Sequence, residues 1–367
     1  GTYHSVDRIA KRSLCGPVGH PSAALRYRLI PSHVFCASMA DISVFGGGSW
    51  ATALIKCICD NGHHVHWWMR DGDQAEHIGK HGHNPKYMSQ IELDSSLLHP
   101  TTDAIEVANA TDVLILAVPA AFLDGVLEFV GADRLSGKTI FSAVKGIVPE
   151  SLQIVGEHLK SQYGIKLNDF GVICGPCHAE EVAMEKLSYL TIASEDKAKA
   201  ESMASTVSTR YVKTTISDDI HGTEYGAILK NIYAIAAGIY HGLGYGDNFH
   251  AVLVSRAIQE MERFMEAIHP LTRDINDPAY LGDLLVTAYS QFSRNRLFGT
   301  YLGKGYSVRS AQMEMSMIAE GYYAVKGVWE LNKNLKVDIP ICESVYRVCY
   351  EKIAPAIEMR LLADSFS

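Results

Sequence analysis

The chain has 367 residues, 47% of them hydrophobic and 20% charged, with a net charge of −8. The length suggests two domains, and the composition is that of an ordinary globular protein. The acidic balance argues against a dedicated nucleic-acid binder but leaves room for a local basic site for a phosphorylated ligand. No apolar run approaches the roughly 18 residues that a membrane span needs. The eight cysteines are scattered; they read as reduced thiols of a cytoplasmic protein rather than a disulfide framework.

Residues 1–38 hold Lys11, Arg12, Arg26 and Arg28, with few acids and no strong periodicity. They are too poor in apolar residues for a secretory signal. A transit-like pre-sequence and added sequence both fit, and the segment is expected to lie outside the fold. Regular alternation begins at Met39. "DISVF" (41–45) reads as a strand, "SWATALIKCICDNG" (49–62) as a helix stopped by Gly62, and "HHVHWWMR" (63–70) as a second strand. The continuous apolar runs "TDVLILAVP" (111–119), "KTIFSAVKG" (138–146) and "FGVIC" (170–174) suit strands buried on both faces. Helical spacing falls between them near 121–131 and 150–162. "LSYLTIAS" (187–194) and "RYVKTTIS" (210–217) complete a set of strands alternating with helices, which predicts a mostly parallel sheet. Past residue 218 the apolar spacing becomes three and four, in 224–243, 251–268, 310–333 and 341–353. The reading is a Rossmann-type α/β domain over 39–218, followed by an all-helical domain over 219–367.

"FGGGSWA" places Gly46, Gly48 and Ala51 in a G-x-G-x-x-A pattern between a strand and a helix. Gly46 allows the tight turn, Gly48 admits a pyrophosphate close to the backbone, and Ala51 lets helix and strand pack. The helix N-terminus would hold the pyrophosphate. Ser49 and Trp50 open that helix. At the end of the second strand Arg70 and Asp71 are adjacent. Asp71 suits the ribose 2′-hydroxyl of NAD and Arg70 the 2′-phosphate of NADP, so both cofactors stay open.

"CGPCH" (174–178) matches thioredoxin-type and c-type haem signatures. It comes after a complete nucleotide-binding half, no export signal precedes it, and no fourth ligand completes a zinc site, so no metal is expected. A cysteine at a helix N-terminus can still be reactive. "EHIGKHGH" (76–83) reads as a solvated loop, and Met313, Met315 and Met317 as packing.

"GGGSWATAL", "AVKG", "GPCHAEE", "LKNIYAIAAG", "GLGYGDN", "LGDLLVT", "SRNRLFG" and "AEGYYAVKGV" follow one another in this order between about 41 and 358. Together they resemble the NAD(P)-dependent glycerol-3-phosphate dehydrogenases of the bacterial type. The resemblance implies reversible hydride transfer between dihydroxyacetone phosphate and sn-glycerol 3-phosphate, supplying glycerophospholipid synthesis, with the active site between the two domains. It implies Lys230 as the catalytic acid and base, helped by Lys145 and Asp283. For the substrate it implies Lys145, Gly175, Cys177, Asn231, Asp283, Ser293, Arg294 and Asn295. For the cofactor it implies Gly46, Gly48, Ser49, Trp50, Arg70, Lys145, Ala179, Arg294, Ile318 and Glu320. Cys177 and His178 depart from the family's Thr and Phe in the G-P-T-F-A loop, which removes a hydroxyl from that loop. The partner expected is a small phosphorylated substrate, with no nucleic acid and no membrane span; a homodimer is compatible with the sequence. Two other readings remain: a β-hydroxyacid dehydrogenase of similar architecture, and a nucleotide-binding redox sensor built on CGPC. The first is disfavoured because Lys230 and Asn231 are adjacent and "SRN" suits phosphate. The second would not need Lys230 or Asp283.

Overall fold

The computed structural model describes residues 41–315 and 319–366. Met317 and Ile318 lie outside the described residues, as do residues 1–40.

The amino-terminal half runs β1 (Ile42–Phe45), α1 (Ser49–Asp60), β2 (Val65–Trp68), α2 (Gly72–His81), β3 (Leu98–Thr101) and α3 (Ala104–Ala110). It continues through β4 (Val113–Leu116), α4 (Ala120–Val130), α5 (Ala132–Leu135), β5 (Thr139–Ser142) and α6 (Val155–Tyr163). Then come β6 (Phe170–Cys174), α7 (Ala179–Ala183), β7 (Ser188–Ser194), α8 (Lys197–Val207) and β8 (Val212–Ser217). The eight strands form one sheet in the order β3-β2-β1-β4-β5-β6-β7-β8. Every neighbouring pair is parallel except β6 with β7. The order reverses between β1 and β4, so a crevice opens at the carboxyl ends of those two strands.

From Asp219 onward every regular element among the described residues is helical. These are α9 (Ile220–Gly242), α10 (Asp247–Ile268), a single π turn at Pro278–Gly282, α11 (Asp283–Tyr289) and α12 (Arg294–Gly303), then α13 (Val308–Glu314), α14 (Glu320–Leu335), α15 (Pro340–Cys349) and α16 (Pro355–Asp364). Helix α9 is buried almost all round, as expected for a central helix packed on every side. Its glycines let α12 come close. A Cβ on Gly238 would overlap the Arg296 carbonyl, and one on Gly299 would overlap the Ile235 carbonyl. One apolar core packs α1 and α8 on the sheet. The other joins α3, α4 and α6 to α9 without a break. Glu224 of α9 also accepts hydrogen bonds from the Val155 and Gly156 N–H groups (3.0 and 3.1 Å), capping α6 from the helical half.

Three sequence expectations change and one strand went unread. Met313, expected to pack, is 77% exposed. The His-rich stretch is not a loop: Gly72–His81 is helical. Asp71 caps it by accepting from Gln74 N at 3.0 Å, Ala75 and Ile78 bury one face, and Gly82 stops it with φ +66°. An Asp-x-x-Gln start and a Gly end are ordinary helix punctuation, obscured here by the histidines. Strand β3, "LHPT", escapes notice because Pro100 speaks against a strand; it is tolerated because β3 is the sheet edge. The helical spacing over 310–333 is two helices, α13 and α14, rather than one.

Candidate active site

The crevice at the β1–β4 switch point widens into a cleft of about 640 Å³ between the sheet and the helical half. Its wall includes Gly46, Gly48, Ser49, Trp50, Arg70, Lys145, Cys177, Ala179, Lys230, Asn231, Ser293, Arg294, Asn295 and Glu320. Thus fourteen residues singled out from sequence, scattered over 275 positions, share one cavity. Gly175 and Asp283 lie just behind the wall, both buried. Ile318 is outside the described residues.

The cofactor end is shaped by the glycine turn. Gly46 has φ +134°, and a Cβ there would overlap the Ala117 carbonyl oxygen. Trp67 Nε1 donates to Gly46 O at 2.6 Å. Gln74 and Asn84 both donate to Gly47 O, at 2.8 and 3.1 Å, so α2 and the segment after it hold the turn from outside. Gly48 is different: a Cβ there would meet no protein atom within 4 Å, only whatever fills the cleft. No side chain caps α1 and no acid lies in its first turn, leaving the positive end of its dipole for an anion. Trp50 Nε1 is buried and has no hydrogen-bond partner among the described residues. These features fit a dinucleotide.

At the mouth, Arg70 is exposed, with its guanidinium 5.8 Å from the Phe122 ring centre. Asp71 is doubly committed: it caps α2 and pairs with Lys86. Lys86 and Tyr87 also line this end. The sequence reading singles out neither these two nor Gln74 and Asn84, which flank the 76–83 stretch read as a loop.

The other end is built on α9. Lys230 is 3% exposed and forms an ion pair with the equally buried Asp283. Burial lowers the Lys230 pKa to about 8; Asp283 opposes the fall and Lys145 adds to it. Lys145 follows β5 with its ammonium 4.9 Å from the Trp50 ring centre, and Asn231 Nδ2 donates to Lys145 O at 3.1 Å. Asn231 therefore holds the Lys145 backbone. Asp283 is the first residue of α11; Gly282, not Asp283, flanks that helix as its cap. Ser293 caps α12, accepting from Arg296 N at 3.3 Å. Asn295 Oδ1 accepts from Gly321 N at 2.9 Å, tying α12 to α14. Glu320, opening α14, lies against Gly146. Burial pushes its carboxyl up to about 7 although Arg294 draws it down.

The CGPCH segment is a loop stitched to β7. Cys174 Sγ donates to Thr191 O at 3.6 Å, and Cys177 Sγ to Tyr189 O at 3.4 Å. Burial pushes both thiols up to about 12, the opposite of a reactive helix-terminal cysteine. His178 is held neutral by burial, with a pKa of about 4, lowered further by the two lysines. Among the described residues no group of three or more His, Cys, Asp or Glu is placed to hold a metal ion, and no helix is long and apolar enough to cross a membrane. The thiols give a direct prediction. In the folded protein Cys174 and Cys177 resist iodoacetamide at neutral pH, and Cys174→Ser and Cys177→Ser keep most of the native turnover. Rapid labelling of either thiol in folded protein would contradict their burial.

Comparison with known proteins agrees with this architecture. The family described as NAD-dependent glycerol-3-phosphate dehydrogenase matches twice, its N-terminus over residues 41–200 and its C-terminus over 219–360. A Salinibacter ruber protein named glycerol-3-phosphate dehydrogenase (NAD(P)+) 2 is 36% identical over 316 residues, covering 86% of this chain and 92% of its own. A Staphylococcus haemolyticus protein named glycerol-3-phosphate dehydrogenase (NAD(P)+) is 34% identical over 314 residues, covering 85% and 94%. The crystal structure of glycerol-3-phosphate dehydrogenase from Coxiella burnetii aligns with a TM-score of 0.83 at 26% identity, covering 88% of this chain and 98% of that one. With both halves matched in order and the cleft built from the residues those matches span, the chain belongs to the NAD-dependent glycerol-3-phosphate dehydrogenase family.

Proposed function

We propose that the chain catalyses reversible hydride transfer between NAD(P)H and dihydroxyacetone phosphate, forming sn-glycerol 3-phosphate for glycerophospholipid synthesis. The observation that carries this reading is a buried lysine of lowered pKa at the cleft wall, paired with Asp283 and flanked by Lys145, with Ser293, Arg294 and Asn295 on the same wall.

The nicotinamide, when bound, supplies or receives the hydride. The chain handles the proton and the phosphate. Lys230 gives its proton to the carbonyl oxygen that becomes the C2 hydroxyl and takes it back in the reverse reaction. A lysine ordinarily holds its proton too tightly for this; burial and Lys145 bring it near the working pH, where general acid catalysis is most effective. Asp283 keeps Lys230 oriented and partly offsets that fall. Lys145 adds positive charge where the oxygen becomes electron-rich. Arg294, with Ser293 and the first N–H groups of α12, holds the phosphate dianion. We also propose the division of labour read from the sequence, with 39–218 holding the dinucleotide and 219–367 supplying Lys230 and the phosphate group. Turnover of NAD(P)H with dihydroxyacetone phosphate, and its absence with 3-hydroxyacids, tests the substrate class against the β-hydroxyacid alternative.

We infer NADPH as the better coenzyme. Asp71 spends its carboxylate on the α2 cap and on Lys86, which leaves it poorly placed to accept from a ribose hydroxyl, while Arg70 offers a cation for a 2′-phosphate. Arg70→Ala should raise KM for NADPH by about tenfold or more, the worth of one charge-assisted contact, and change KM for NADH less than about threefold. Equal losses with both coenzymes would take Arg70 away from the 2′-phosphate.

A further inference from the structure

Behind the cleft lies a buried polar knot that the proposed reaction does not use. Asp219 and Arg273 have side chains only 3% and 5% exposed. Arg273 Nε donates to Asp219 Oδ2 at 2.9 Å, and Arg273 also donates to His269 O at 3.1 Å. Tyr280, 1% exposed, donates its hydroxyl to the same Asp219 Oδ2 at 2.5 Å. Asp219 Oδ1 accepts from Gly222 N at 2.9 Å, capping α9. Arg273 and Tyr280 outweigh the cost of burial and keep the Asp219 carboxyl below its ordinary value, so the knot holds a charged carboxylate.

The knot touches both members of the Lys230–Asp283 pair through the backbone. Lys230 is on α9, the helix Asp219 caps. Asp283 directly follows the π turn Pro278–Gly282, and Tyr280 is the middle residue of that turn. The Asp283 N–H bonds back to Pro278 O, five residues earlier. One wide turn of this kind is less favourable than α-helix and persists where something else fixes it. Here the Tyr280 ring also packs against Gly226, where an added Cβ would meet it at 3.2 Å. Gly226 is one turn before Lys230 on the same face of α9. The turn is therefore pinned to the lysine's own helix at two points, by the ring on Gly226 and by the hydroxyl on Asp219.

We propose that Tyr280 is a positioning residue for the reaction: its hydroxyl bond to Asp219, braced by Arg273, holds the π turn in the register that sets Asp283 against Lys230. This rests on Lys230 being the acid and base. Tyr280→Phe keeps the ring on Gly226 and removes the hydroxyl, with its bond to Asp219 and its interaction with Arg273. The turn is then free to tighten, and Asp283 withdraws from Lys230. The groups facing Lys230 are Asp283 from α11, Lys145 after β5, Cys174 at the end of β6 and His178 before α7. Cys174 is protonated and His178 neutral, so Asp283 is the single opposing negative charge among them. Its retreat leaves burial and Lys145 unopposed and moves the lysine's titration to lower pH.

The test is the pH dependence of kcat and KM for dihydroxyacetone phosphate reduction in native enzyme, Tyr280→Phe, Arg273→Lys, Asp283→Asn and Lys230→Ala, with melting temperatures alongside. Tyr280→Phe is expected to lower kcat about fivefold near pH 8 and about tenfold well above it, because its alkaline limb moves down by about one pH unit, the usual effect of losing an opposite charge at close range. KM should stay within about twofold, since the phosphate end is untouched. Asp283→Asn should move the limb the same way and further, and Arg273→Lys the same way but less. A Tyr280→Phe enzyme whose limb does not move, whatever its melting temperature or kcat, overturns the proposal; so does a rise in KM with unchanged kcat. If Lys230→Ala keeps native turnover, the acid–base reading fails instead, and the two failures are told apart.

Discussion

Lys230→Ala should lose about 10²- to 10⁴-fold in kcat, the usual contribution of a general acid or base, with NADPH affinity changed by less than about threefold. The sign of the pH effect follows from the environment. Burial lowers the lysine pKa to about 8 against the pull of Asp283. Carbonyl reduction needs the ammonium, so kcat for reduction should fall as pH rises through about 8. Alcohol oxidation needs the free amine, so kcat in that direction should rise over the same range. Mirror-image profiles crossing near pH 8 would come from one group serving both directions. Steady-state rates in both directions across pH 6 to pH 10, with Lys230→Ala run in parallel, make the measurement. Near-native turnover of the variant would remove Lys230 from the chemistry.

How much of this site was legible without coordinates depends on the kind of signal. The glycine turn was legible because its residue types are forced: only glycine tolerates the Gly46 backbone and the approach of Ala117. The αβ alternation was legible because strands buried on both faces read as unbroken apolar runs. Lys230, Asn231 and the Ser293–Arg294–Asn295 run were legible by resemblance, not by periodicity; a lysine inside a helical pattern ordinarily reads as a solvated one. Helix α2 and β3 were missed because histidines and Pro100 masked ordinary start, stop and edge signals. Gln74, Asn84 and Lys86 were missed for a deeper reason. They act through contacts made across tens of residues, such as Gln74 and Asn84 on Gly47 O, and no local pattern encodes such a meeting. Tyr280 was missed likewise, since a π turn has no spacing signature of its own.

The second large effect expected is at Arg294. The phosphate does not react, yet its binding energy can orient the carbonyl, so losing it should lower turnover as well as affinity. Arg294 opens α12 beside Ser293, the cap of that helix, where helix dipole and guanidinium would act on the same anion. Arg294→Ala should reduce kcat/KM for dihydroxyacetone phosphate by about 10²- to 10³-fold, the scale of a lost bidentate charge contact of roughly 3–4 kcal/mol. With unphosphorylated dihydroxyacetone it should change far less. Arg294→Lys should fall between, keeping charge but losing the planar fork. The informative quantity is the ratio of the two substrates' kcat/KM in native and variant enzymes. An unchanged ratio in Arg294→Ala would place the phosphate elsewhere.

The glycine seam between α9 and α12 bears on substrate length. Lys230 and Asn231 are on one helix and the proposed phosphate group at the start of the other, and at Gly238 and Gly299 the two helices meet peptide against peptide. Side chains can change rotamer to relax a fit; main-chain atoms in contact cannot. The backbone positions from which the proposed proton donor and anion anchor reach out are then held at a fixed separation. On the proposed reading, a substrate one carbon longer or shorter between carbonyl and phosphate is expected to fit the two stations less well. Widening that separation takes a shift of a whole helix, so on the proposed reading selectivity for chain length should be harder to alter by single substitutions than selectivity for coenzyme, which is proposed to rest on exposed side chains at the cleft mouth.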